Sequence, residues 1–424
     1  MRKNRLRLPI RSVMLAGLVV AALIVTGAWP LAAQGDKPIR IGFGMALTGG
    51  LAANGKAALL AMQIWAKDVN DKGGLLGRPV ELVHYDDQTK PANVPAIYTK
   101  LIEVDQVDFV VSGYGTNLIV PALPVVMERE LVFMGLFGLA ANEKFNYPYY
   151  FGIAPIGPKP RTDWSRGFFD IAKTHKLKTI AIIGADAEFA RNAQSGAREN
   201  AKAYGLNIVY DKTYPPGTAD FSPVVRAIKA LNPDILCVAS YPPGSVGITR
   251  AAHEVGLEPQ LFGGGMVGLQ YAAFLTKLGP MLNGIVNYDF WVPEPTLKFP
   301  GVDAFLTKYQ AQAESVGVDP LGHYLPPWAY ANLQVLQQAI EATKSIDQKT
   351  VGDYIRNNEF DTIVGKVRFG DNGEWNTTRT LMVQYQNIAD SEVKQFFGPG
   401  KRIVLYPEDW KSGELIFPYA EAKP

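Results

Sequence analysis

From residue 39 onward the chain alternates short apolar runs with amphipathic stretches, and it does so in two series. IRIGFGMAL puts Ile39, Ile41, Phe43 and Met45 on one face, the period of a strand. The stretch after it spaces Ala58, Met62, Trp65 and Val69 as a helix does and stops at Gly73-Gly74, where a C-terminal cap needs glycine. VELVHYDD, VDFVVSGYG and LVFMGLFG continue as strands, with NVPAIYTKLIEVD and NLIVPALPVVMERE as the helices between them. Strand and helix in strict alternation predict a parallel sheet. YYFGIAPIGPKP, rich in Gly and Pro, closes this series, and KTIAIIGAD, LNIVYDKTYP and DILCVASYP open a second one around EFARNAQSGARENAKAYG and DFSPVVRAIKALN. Beyond GIVNYDFWVPEP the pattern is helical to roughly residue 358, and VGKVRFGDNGEW with LMVQYQNI is expected to form a closing hairpin. The fold class is therefore α/β, with two doubly wound lobes crossed more than once by the chain. Ligands of such sheets sit at the carboxyl ends of the strands, which for two lobes means a cleft between them.

The first eleven residues carry Arg2, Lys3, Arg5, Arg7 and Arg11 without an acid, and an apolar run from Val13 to Val25 follows. That arrangement is expected to be a secretory signal peptide, cleaved after Ala33, with no stable membrane anchor in the mature chain. Its apolar run is shorter than the roughly 20 residues of a membrane span. Of the 42 Lys and Arg, five lie in this leader, so 37 face 40 Asp and Glu in the remainder, about −3. Nucleic acid is accordingly not an expected partner. The one cysteine, Cys237, lies in the apolar run DILCVAS and reads as a buried core thiol.

Several motifs come close to catalytic or cofactor chemistry. GGLAANGKAA fits a phosphate-binding loop through Gly50, Gly55 and Lys56 but has Ala57 where the metal-holding hydroxyl belongs. GGGMVG, residues 263–268, matches a dinucleotide fingerprint in letters, but it does not open a lobe, and it reads as a structural glycine turn. His84, His175, His253 and His323 are widely spaced, and no nucleophile elbow occurs. Asp86 and Asp87, at a strand end, are expected to satisfy the N–H groups of a turn or helix start. The expectation is a binding protein with no cofactor, no metal and no catalytic residues.

Strand ends supply the candidate site. SGYGTNLIVP runs from a buried strand through Tyr114 and Gly115 into Thr116 and Asn117, so that a hydroxyl, an amide and backbone N–H groups converge in a way that suits a carboxylate; an ordinary N-cap by Thr116 fits equally well. Phe137, Phe189 and Tyr241 also follow strand ends, where aromatic rings would line a cleft.

Taken together, IGFGMALTGGLAANG, NDKGGLLGRPVELVHYDD, SGYGTN, IAIIGADAEFA and DILCVASYPP resemble the periplasmic solute-binding proteins of branched-chain amino acid ABC transporters, over nearly the whole chain after the leader. The resemblance implies a type I periplasmic binding protein: two Rossmann-like lobes joined by three crossover segments, closing on a small ligand and delivering it to a membrane permease. It divides the chain into a first lobe of 36–155 and 288–362 and a second of 156–287 and 363–424. By position, Thr116 matches a carboxylate-binding Ser/Thr, Asn54 a loop residue that approaches the ligand, and Phe189 and Tyr241 aromatic positions of the second lobe. Gly49, Gly50 and Gly55 would then let backbone approach the ligand, with Lys56 toward solvent. Two places depart from the family's amino-acid binders. The loop after the fourth strand reads GLFGLA, putting Phe137, Gly138 and Leu139 where a Ser/Thr-containing loop is usual. Gly265, followed by Met266, stands where an acid would hold the α-ammonium. A buried ammonium without a carboxylate loses several kcal/mol of hydration, roughly. An apolar or aromatic carboxylate, or a neutral amide, suits these residues better than a standard amino acid, and Asp186 and Glu188 are the acids best placed to act as substitutes. A sensor subunit feeding a membrane signalling protein would share every one of these motifs.

Overall fold

The computed structural model describes residues 37–423; the expected leader and its cleavage point lie outside them. The first series gives β1 (Ile39–Met45), α1 (Ala52–Asn70), β2 (Val80–Asp86), α2 (Val94–Glu103), β3 (Phe109–Tyr114), α3 (Thr116–Ile119), α4 (Leu123–Glu128), β4 (Phe133–Leu136) and β5 (Tyr150–Gly152). Its five strands lie in the order β2-β1-β3-β4-β5, all parallel. YYFG, expected only to end the series, is thus the fifth strand.

The predicted register of β1 holds, since Ile39, Ile41, Phe43 and Met45 are fully buried. Its other face is buried as well: a Cβ on Gly42 would press on Val107 and Leu101, and one on Gly44 would meet Ile97 and Tyr98. A parallel sheet covered on both faces has this pattern, with small residues where a helix comes closest.

The second series runs through α5 (Pro160–Asp163), α6 (Arg166–Thr174), β6 (Thr179–Ala185), α7 (Glu188–Ala203), β7 (Asn207–Tyr214), α8 (Ser222–Leu231), β8 (Ile235–Ser240), α9 (Pro242–Val255), β9 (Leu261–Met266), α10 (Ala272–Leu278) and β10 (Val286–Asp289). There follow α11 (Val302–Ala313), α12 (Pro326–Thr343), α13 (Gln348–Asn357), β11 (Glu359–Thr362), β12 (Gly365–Arg368), β13 (Leu381–Tyr385) and β14 (Arg402–Tyr406). The second sheet has the order β14-β13-β10-β9-β8-β6-β7, parallel except at β13 and β14. Helices α11 and α12 return to the first sheet, where the Trp65 indole donates to Gln337 at 3.0 Å and the Tyr330 phenol donates to Asp68 at 2.9 Å.

Two expectations change. VGKVRF does not pair with LMVQY: β12 pairs with β11 in its own two-stranded sheet, and β13 inserts between β10 and β14. The GGG of GGGMVG is not a turn but the interior of β9, because β10 runs so close that a Cβ on Gly263 would overlap the Val286 carbonyl. Asp86 and Asp87 do serve a turn. Asp86 accepts from the amides of Leu47, Thr48 and Gln88, and Asp87 from that of Thr89. Cys237 is free and buried in β8. Among the described residues no helix is long and apolar enough to cross a membrane.

Candidate functional site: a cleft at the strand ends

The carboxyl ends of strands from both sheets meet around a cavity. The end of β3 presents Tyr114, Gly115, Thr116 and Asn117, and the end of β4 presents Phe137 and Leu139. Opposite them stand Phe189 at the start of α7 and Tyr241 before α9. Of the residues expected at the site, these seven line the cavity: Tyr114, Gly115, Thr116, Phe137, Leu139, Phe189 and Tyr241.

The other four stand behind the wall. Asn54 is fully buried near the Tyr114 phenol, without a well-aligned hydrogen bond of its own. A Cβ on Gly138 would meet the Tyr150 hydroxyl and Ala141, not the cavity. Met266 is buried, its amide donating to Asn287 at 2.9 Å, and Gly265 faces the ring of Trp164. The substitute acids also fall outside: Asp186 is exposed and pairs with Arg191 at 2.8 Å, and Glu188 lines a surface hollow. The opening glycine loop serves packing, because a Cβ on Gly55 would overlap the Ala46 carbonyl at the end of β1, while Lys56 is exposed.

Several wall residues were missed from sequence. Tyr288 and Phe290, at the end of β10 in GIVNYDFW, and Val267 after β9 obey the same strand-end rule and could have been found by it. Leu51, Ala154 and Ile156 flank the ends of β1 and β5. Trp164, between α5 and α6, and Tyr324, before α12, come from connections with no periodic signal.

Ring packing orders this wall. Phe137 lies 4.7 Å from Phe290 and 5.2 Å from Tyr324, and Trp164 stands nearly perpendicular to Tyr288 at 5.6 Å. Phe137 holds φ of 62°, a left-handed conformation that is costly for a bulky side chain and that persists only where its surroundings enforce it. Behind the wall, Arg402 donates to Asp289 at 3.1 Å and to the Nδ1 of His323 at 2.6 Å. All three are buried, and they tie the end of β10 to the segment carrying Tyr324. Burial pushes the Asp289 carboxyl up to about 6 against the pull of Arg402, and burial beside the same cation holds His323 well below its ordinary value.

Apart from the phenols of Tyr114, Tyr241, Tyr288 and Tyr324, none of the lining side chains ionises. Burial raises all four, Tyr114 to about 12, so the wall is neutral at physiological pH. Two of its side-chain oxygens accept bonds from within the wall. Asn117 Oδ1 accepts from the Tyr241 hydroxyl at 2.5 Å and the Phe189 amide at 3.1 Å, and Thr116 Oγ1 accepts from the Leu139 amide at 2.9 Å. The carbonyls of Leu139 and Tyr288 take the side-chain amides of Asn192 and Gln270. Donors are left over: the Thr116 hydroxyl proton, one proton of the Tyr288–Tyr324 hydroxyl pair at 2.6 Å, and the indole N–H of Trp164. The bonds made by Asn117 and Leu139 also join residues of the first sheet's strand ends to α7 and the start of α9, holding the cleft closed.

Residues 38–390 match the family model described as periplasmic binding protein. The chain belongs to that family. It is 26% identical over 342 residues to the Leu/Ile/Val-binding protein of Escherichia coli, covering 80% of this chain and 88% of that one. Among solved structures, a leucine-binding protein of Thermotoga maritima matches with a TM-score of 0.72 and 19% identity, over 83% of this chain and 96% of that one. A solute-binding protein of an ABC transporter from R. palustris, in complex with benzoate, matches with a TM-score of 0.71 and 16% identity, over 87% and 95%. The two-lobed α/β fold of this periplasmic binding protein is therefore that of the family, and these relatives are solute-binding proteins rather than enzymes.

Proposed function

We propose that this periplasmic binding protein is the receptor of an ABC importer, exported by its leader and working without catalysis, and that it captures a small apolar or aromatic carboxylate lacking an α-ammonium. The lobes are read as 36–155 with 288–362 and 156–287 with 363–424. Tyr114, Gly115, Thr116, Phe137, Leu139, Phe189 and Tyr241 contact the ligand, and the closed form docks on a membrane permease. One observation carries the ligand class: the wall has spare donors and no carboxylate. An ammonium brought there would lose its hydration and find no counter-charge. A carboxylate finds hydroxyl donors, while the rings around it reward apolar burial at about 25 cal/mol per Å². Proteins of this fold hold benzoate or bind leucine, so the fold admits such an acid and the wall's donors favour it.

A thermal-shift panel tests this reading with leucine against 4-methyl-2-oxopentanoate and phenylalanine against phenylpropanoate and benzoate. A ligand at a hundred times its dissociation constant adds about 2.7 kcal/mol of stability. The acids are expected to raise the melting temperature and the amino acids to leave it in place. A shift with leucine or phenylalanine but not with its deaminated partner would overturn the ligand class.

A further inference from the structure

Gly265 and Trp164 stand against each other at the edge of the cleft. The indole is 4% exposed and packs edge-on to Tyr288 at 5.6 Å and Phe189 at 6.1 Å, one ring from β10 and one from α7. A Cβ on Gly265 would overlap Cη2 of that indole. Gly265 does not have the left-handed backbone that would call for glycine, unlike its neighbours Gly263 and Gly264 at φ of 144° and 106°. Its missing side chain therefore serves the ring. Any residue larger than glycine at 265 and the indole in this position exclude one another.

The Nε1–H of Trp164 is buried and has no acceptor. Buried donors in folded proteins are almost always paired, and an indole can only donate. Of the rings packed on it, Phe189 has no polar atom, and the Tyr288 hydroxyl, bonded to Tyr324, does not reach the indole N–H. The buried indoles of Trp328 and Trp375 are unpaired too, but of the three only Trp164 lines the cavity, where a guest can bring the acceptor. With the Thr116 hydroxyl and the spare proton of the Tyr288–Tyr324 pair assigned to the carboxylate, the indole is the donor left for a further acceptor.

We propose that Gly265 and Trp164 together determine specificity: the indole occupies the ground where a side chain of residue 265 would stand, and its N–H donates to a neutral acceptor oxygen that the ligand carries besides its carboxylate. This rests on the carboxylate reading above and narrows it to oxo- and hydroxy-substituted apolar acids. The pairing also explains how the site rejects amino acids. A side chain at 265 that could accept from an ammonium is displaced by a group that can only donate, so the same spot favours oxygen and repels N–H.

The test is calorimetric, on two pairs of acids differing by one oxygen: 4-methyl-2-oxopentanoate with 4-methylpentanoate, and 4-hydroxybenzoate with benzoate. In the wild type the oxygenated member of at least one pair is expected to bind about tenfold more tightly, the effect of one hydrogen bond to a site built for it. Trp164→Phe keeps a ring and removes the N–H; whatever it costs the plain acid through lost packing, it should cost the oxygenated member about tenfold more, so that the preference disappears. Gly265→Ala should weaken all four acids by dislodging the ring. Equal affinities within both pairs in the wild type, a preference that survives Trp164→Phe, or an equal loss for both members of a pair would overturn the proposal and leave the carboxylate reading standing. Binding of none of the four acids, or of leucine in their place, would overturn both.

Discussion

Thr116 shows how one side chain can serve fold and ligand together. Its oxygen accepts from the Leu139 amide while its proton stays free, so the same hydroxyl shapes the loop after β4 and faces the cleft. Thr116→Val keeps the volume and removes both functions. Binding of an apolar carboxylate is expected to weaken by about 1.5–3 kcal/mol, the range for a hydrogen bond to a charged group. The free protein should also lose stability, because the buried Leu139 amide is left unpaired. Isothermal calorimetry and urea unfolding read the two effects separately, and an unchanged affinity would remove Thr116 from the site. At this scale the strand-end rule read Tyr114, Thr116, Phe137, Phe189 and Tyr241 from sequence. The same motif offered the Asn117 amide to a carboxylate, but its oxygen accepts from Tyr241 and Phe189 across the cleft. No local pattern encodes that partnership.

Glycines set how closely the elements pack, and they mark where a motif's letters mislead. In GGLAANGKAA the letters suggest a ligand loop, yet Gly55 is needed because the first turn of α1 lies on the end of β1. Gly50, in the same motif, has open space around it. Gly55→Ala is expected to destabilise the protein by roughly 1–3 kcal/mol through overpacking against backbone. Gly50→Ala should stay within about 0.5 kcal/mol, as surface substitutions do. Urea unfolding of the two variants checks the contrast, and equal effects would contradict it. In β9 the same logic turns a fingerprint into a strand, since β10 approaches Gly263 and Trp164 takes the space beside Gly265. Element type was readable where period and length agreed. It failed for β5, three residues long; β13 was read as a strand, but its pairing with β10, far away in sequence, was not.

At the scale of the molecule, the two sheets are joined by segments that run side by side. The Gly152 amide donates to the Gly373 carbonyl at 2.8 Å, and the Asn372 side chain donates to the Pro158 carbonyl at 3.0 Å. Glu374 lies in this junction, 1% exposed, with neither carboxyl oxygen hydrogen-bonded and with the Tyr150 hydroxyl nearby also unpaired. Burial pushes its carboxyl up to about 8. A folded-state value above the ordinary 4.5 means that the folded protein holds a proton the unfolded chain has released, so this stabilisation is full below about 4.5 and is lost as pH rises through about 8. Asp87, Asp289 and Asp319, raised to about 6, complete most of their titration earlier. Between pH 6.5 and 8 the wild type should lose up to about 1.4 kcal/mol per pH unit through Glu374. Glu374→Gln should be spared that loss. Melting curves across that range are expected to show the variant gaining on the wild type as pH rises, and parallel curves would place the Glu374 proton elsewhere.

The alternation of strand and helix, read from the amino acids alone, determined two parallel α/β sheets and a cleft at their strand ends, because period and handed crossovers are local consequences of backbone sterics. Tertiary structure decided what the cleft contains. Trp164 and Tyr324 reach the wall from connections without a repeat, and β13 and β14 complete a sheet whose other strands lie more than ninety residues earlier in the chain. Neutrality of the site was equally a matter of assembly: Asp186 and Glu188 follow β6 as the wall residue Phe189 does, yet they turn outward when α7 begins. Whether a side chain faces ligand or solvent depends on the element packed against it, and that element can come from anywhere in the chain.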